Sequence, residues 1–92
     1  MEDHPATTTA ARPAEIKRNP VLGLRAATRI LSLEPETRHQ LADLLRELAA
    51  EAGERAARSW RSRKGPMAAY WLAVSVYARH IARALTRDRR AQ

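Results

Sequence analysis

The 92-residue chain contains no cysteine, no phenylalanine and only three glycines, and its aromatic side chains number four: Trp60, Tyr70, Trp71 and Tyr77. Without cysteine there is no disulfide framework, no thiolate nucleophile and no cysteine-ligated zinc. No glycine-rich loop of the kind that cradles nucleotide phosphates is present. Long hydrophobic runs are missing as well. The longest uncharged stretch, Pro66 to Ala78, falls short of the roughly 20 apolar residues that a bilayer span requires. The N-terminus, Met1-Glu2-Asp3-His4-Pro5, has neither the basic start nor the apolar centre of a signal peptide. These absences lead to the expectation of a soluble cytoplasmic protein of one domain, with no membrane partner and no cofactor.

Acidic residues are scarce in one half only. Residues 1–54 carry seven Arg/Lys against nine Asp/Glu, whereas residues 55–92 carry ten against one, Asp88. The balances of −2 and +9 add to the formal +7 of the whole chain. Fifteen of the seventeen basic residues are arginine and nineteen residues are alanine, a bias that GC-rich coding alone produces. Coding bias does not place the charge in one half. A basic half with almost no competing carboxylate is the electrostatic footprint of a polyanion binder.

The uncharged stretch organises the rest. Met67, Trp71, Val74, Ala78, Ile81 and Leu85 recur at steps of 4, 3, 4, 3 and 4, the spacing of one helix face. Residues 1–18 read as a flexible arm, interrupted by Pro5, a run of threonines and Pro13. Asn19-Pro20 is a start signal for a short helix over about 20–32. Leu33-Glu34-Pro35-Glu36 is a second start signal, for a helix over about 35–61 with the apolar stripe Leu41, Leu44, Leu45, Leu48, Ala49, Ala52, Ala56 and Trp60. Gly65 ends that helix and Pro66 opens the last one, over about 66–87. So short a link makes the two long helices antiparallel neighbours. Folding about residues 63–64 sets Trp60 near Met67, Ala56 opposite Trp71, Leu48 and Leu45 against Ala78 and Ala82, and Leu41 near Leu85. The expected architecture is all-α: a short helix and a long antiparallel hairpin in one helical domain, 19–92, preceded by the arm. Ala69, Leu72, Ala73 and Val76 remain on a further face of the last helix, which points to a homodimer.

Two arginine clusters are the leading candidate site. Arg79, Arg83 and Arg87 recur every four residues on the last helix, while Arg55, Arg58, Arg61, Arg63 and Lys64 crowd the turn. Trp60, set among these cations, and Tyr70 are the aromatics expected to touch a partner; Trp71 and Tyr77 read as core. The expected function is non-enzymatic contact with nucleic-acid phosphates, indifferent to base sequence. The alternative is an adaptor or inhibitor that docks on another protein, an acidic surface in particular, through the aromatic helix and the arginines.

Other chemistries are poorly supplied. Ala49-xxx-Gly53 imitates a helix-turn-helix, but Ser59 and Ser62 stand where the recognition helix needs apolar anchors, and Pro66 marks a later break. Glu36-xx-His39 has di-iron spacing without its required second copy. His80 lacks a carboxylate to orient it, so no triad forms with Ser75 or Tyr77. On the last helix aromatics and arginines separate along the length rather than onto opposite faces, which argues against a membrane-surface helix.

Overall fold

The computed structural model describes residues 11–87. Their regular structure is helical throughout: α1, Pro13–Arg18; a 3-10 turn, Pro20–Gly23; α2, Arg25–Ile30; α3, Pro35–Arg61; and α4, Gly65–Leu85. The two long helices pack against each other as an antiparallel hairpin, the all-α architecture expected from the sequence. α3 begins without a side-chain cap on Glu34; Pro35 in its first turn and Glu36 at the positive end of the helix dipole favour the start instead. It continues through Gly53 without a break, so the helix-turn-helix alternative falls.

The turn is closed by Arg63 rather than by Gly65. Lys64 N–H donates to the Ser59 carbonyl at 2.8 Å and Arg63 N–H to the Trp60 carbonyl at 3.0 Å. This is a Schellman closure, with Arg63 at the left-handed position, φ 59°. Gly65 is already the first residue of α4.

The pairing register matches the sequence reading, but the seam is rotated. Its buried residues are Ala42, Ala49 and Ala52 of α3, and Ala68, Ser75, Ala78, Ala82 and Leu85 of α4. Ser75 Oγ donates to the Ala49 carbonyl across the seam at 2.8 Å, a reach that requires the two backbones to lie close. Ala42, Ala82 and Leu85 form a cluster that Ile30, Leu45 and Ile81 surround. Arg38 locks this end by donating to the Leu85 carbonyl at 3.0 Å. Leu41, Leu44 and Leu48, expected in the seam, are exposed, and so are Met67 and Tyr77. Each helix has an apolar stripe wider than one neighbour can cover. Small residues occupy the covered part because only they permit this approach.

The N-terminal segment is ordered where an arm was expected. Residues 13–18 form α1, and the segment is tied to α4 and the residues just beyond it by two links. Asn19 Nδ2 donates to the His80 carbonyl at 2.9 Å, and Arg87 Nη2 bridges to Glu15 Oε1 at 3.2 Å. Residues 1–10 of the expected arm lie outside the described residues, as do the last five of the chain. The single helix expected over 20–32 is instead the 3-10 turn and α2, separated at Leu24, whose ψ of 146° is extended. Asn19 makes no side-chain cap; its Nδ2 donates to the His80 carbonyl and turns the amide towards α4. Gly23 allows Ile16 to close over the turn; a Cβ there would lie 3.3 Å from Ile16 Cγ2.

Candidate docking face and arginine cleft

With 3.6 residues per turn, the stripes flanking the seam resolve into two sides of the hairpin. On one side lie Leu41, Leu44 and Leu48 of α3 with Met67, Tyr70, Val74 and Tyr77 of α4. Arg55 stands on the same stripe of α3, and its guanidinium lies 5.3 Å from the centre of the Trp71 ring, which fixes the two stripes on a common side. Leu44 is 58 % exposed, Tyr70 55 % and Tyr77 60 %. By contrast, the bulkiest side chain wholly shut from solvent among the described residues is Ser75. Tyr70 packs edge-on against Trp71, ring centres 4.9 Å apart, so its ring is held outward rather than loose. These residues make up the Leu–Tyr face. Contiguous apolar surface of this kind marks an interaction site.

The rim of that face is charged in two blocks. Glu47 and Glu51 stand on the outer edge of α3 before Gly53, and Arg55 and Arg58 after it, all exposed. An antiparallel second α3 would set each block across from its opposite.

The other side holds a groove with two different halves. Towards the turn, Gly53, Ala57, Trp60, Ala69 and Leu72 line a shallow apolar channel of about 450 Å³. Trp60, 71 % exposed, forms its outer wall. Further along, Arg46 of α3 and Arg79 and Arg83 of α4 line a basic cleft of about 390 Å³.

The sequence-predicted site residues therefore separate. Arg79 and Arg83 come together, joined by Arg46, which the charge count had left in the balanced half. Arg58 and Arg61 lie 12 and 15 residues along α3 from Arg46, roughly 18 and 22 Å by helix rise, and do not join that cleft. Arg63 and Lys64 are exposed at the turn, where their backbones close the hairpin. Arg87 is engaged with Glu15, and its side chain is only 12 % exposed. Glu15 itself is held below the usual carboxylate range, first by the Arg12 backbone N–H it accepts and then by the Arg87 guanidinium, against the opposing effect of desolvation. Tyr77 and Met67, read from the sequence as core, belong to the exposed Leu–Tyr face. The signal that could have found Arg46 is its spacing, seven residues before Gly53 on the edge of the seam.

No helix among the described residues is long and apolar enough to cross a membrane, and no three metal-ligating side chains group together there. No protein-family model, curated protein or solved structure matches the chain. Function is therefore argued from these two surfaces.

Proposed function

We propose that the protein is a small, non-enzymatic helical docking module that pairs with a second copy of itself through the Leu–Tyr face. One observation carries this reading. The hairpin fills its seam mostly with alanine and serine, Leu85 at one end excepted, and leaves Leu44, Leu48, Tyr70 and Tyr77 in solvent. A face about 30 Å long and two helices wide offers about 600 Å² per copy, or about 1,200 Å² buried in total, the lower bound of specific interfaces. The charged rim favours a second copy over an unrelated partner. A twofold axis crossing α3 near Gly53 sets Glu47 of one copy opposite Arg58 of the other, and the same contact repeats by symmetry.

A charge-swap pair tests the mode. Arg58→Glu is expected to weaken dimerisation about thirtyfold, since two rim pairs of about 0.5 kcal/mol each give way to repulsions of similar size, about 2 kcal/mol in all. Adding Glu47→Arg to the same chain restores it. If the double variant dimerises no better than Arg58→Glu alone, the antiparallel arrangement is wrong.

Nucleic acid and acidic protein surfaces, the partners suggested by charge segregation, are not favoured as occupants of this face. Its apolar centre has no cation, and Arg55 is engaged with Trp71. Polyanion contact is better supported at the basic cleft on the opposite side.

A further inference from the structure

Arg46, Arg79 and Arg83 bring three guanidinium groups from two helices into one cleft of about 390 Å³. Like charges repel, yet the cleft is not left to loose side chains. Arg79 Nη1 donates to Ser75 Oγ at 2.9 Å. Ser75 is buried in the seam and donates in turn to the Ala49 carbonyl at 2.8 Å, so the hydroxyl that orients Arg79 is itself fixed by the hairpin. Arg46 is held by Asp43 at 3.2 Å and by Thr86 Oγ1 at 3.4 Å. A guanidinium has five N–H donors, so these tethers leave at least three on each of Arg46 and Arg79. Among the described residues, Asp43 is the one carboxylate that pairs with any of these three arginines, and its side chain is 76 % exposed, turned to solvent.

We infer that this cleft binds phosphate groups, either of a free oligophosphate or of a nucleic-acid backbone. Arginine forks match phosphate oxygens two at a time, where lysine acts as a point charge. Three such forks around a space of this size suit two neighbouring phosphates better than one small halide. Among the described residues the cleft is lined by three arginines, so recognition is of phosphate and not of base. The inference does not depend on the docking reading, because the cleft opens on the side of the hairpin away from the Leu–Tyr face.

The test is an NMR titration of the arginine side-chain Nε signals of the full chain. Pyrophosphate is compared with sodium chloride at matched ionic strength. The Nε signals of Arg46, Arg79 and Arg83 are expected to move together on one binding curve. Arg79→Gln and Arg83→Gln each weaken binding about tenfold, and Arg79→Lys does not restore it. Ser75→Ala, which leaves net charge unchanged, weakens binding several-fold by releasing Arg79. The Arg61→Gln, Lys64→Gln double variant removes two exposed charges from the other end and leaves binding within about twofold. A second arm, anisotropy of a labelled single-stranded oligonucleotide, distinguishes the sources. Backbone binding gives tighter affinity than pyrophosphate and a log–log salt slope of about −1.4 for two phosphates; a free oligophosphate site shows the reverse order. The inference is overturned if neither ligand moves the three signals beyond the chloride control. It is equally overturned if the Arg61/Lys64 variant loses as much affinity as Arg79→Gln, which would make the effect diffuse charge alone.

Discussion

The seam between α3 and α4 and the Leu–Tyr face beside it belong to the same two helices, yet they take opposite side chains. The seam holds Ala42, Ala49, Ala52, Ala78 and Ala82, with Ser75 reaching a backbone carbonyl across it. The face holds Leu44, Leu48, Met67, Tyr70 and Tyr77. Ordinary partition of apolar side chains would put the larger set inside, because each gives up more water-exposed area on burial. In this hairpin close backbone approach holds the pair together, and the larger apolar area stays available to something else. A surface built this way gains most of its hydrophobic stabilisation only when it is covered.

The contrast can be broken first at the seam. Ala82→Leu places a branched side chain where Ala42 and Leu85 already meet; it is expected to cost about 1–3 kcal/mol or more by overpacking, seen as a lower denaturant midpoint. Leu44→Ala, on the face, should change the stability of the dilute monomer by no more than about 0.5 kcal/mol. Equal losses at the two sites would abolish the distinction drawn between them. The turn that sets the register comes next. Arg63→Gly removes the left-handed penalty of a Cβ residue and should stabilise the hairpin by about 1 kcal/mol, measurable by the same denaturation. Gly53→Ala follows. A Cβ there would meet only Ser75 Oγ, at an ordinary 3.6 Å, so improved helix propensity should add about 0.4–1 kcal/mol.

The smallest effect concerns α1, which is held by an ion pair rather than by a small-residue seam. The pKa of Glu15 is lowered in the folded chain. Its contribution is therefore present above the unfolded carboxylate value, near the reference 4.5, and lost as pH falls through the depressed folded value. Amide exchange in residues 13–18 should rise with acid through that range before the hairpin is affected, beyond the intrinsic pH dependence of exchange. Glu15→Gln should remove this excess.

Much of this was legible in residue spacing and little of it in residue size. Pro35 and Pro66, with the 3–4 recurrence of apolar positions, located both long helices and their antiparallel register. The rotation of α3 was not legible, because Leu41–Leu45–Leu48 and Ala42–Ala49–Ala52 are adjacent stripes of one wide apolar surface. Periodicity alone does not say which stripe meets α4. Size misleads: the spacing puts Leu41, Leu44 and Leu48 in one stripe with Ala49 and Ala52, and the alanines are the ones buried. Arg63 was missed as a helix terminator because glycine two residues on is the commoner signal for a left-handed position. The order of residues 13–18 depends on contacts with Asn19, His80 and Arg87, more than 60 residues apart in sequence, which no local pattern records. Arg79 and Arg83 were visible as a pair; Arg46 joins them only once the hairpin is folded.

Sedimentation equilibrium of the full chain, beside a Leu44→Glu, Tyr70→Glu variant, tests the central claim most directly. The wild-type chain should sediment near twice its 10.3 kDa mass at tens of micromolar, and the variant at the monomer mass with its helical circular dichroism intact. A wild-type chain that stays monomeric to several hundred micromolar, or a variant that dimerises as well as the wild type, would contradict the assignment of the Leu–Tyr face as the surface on which two copies meet.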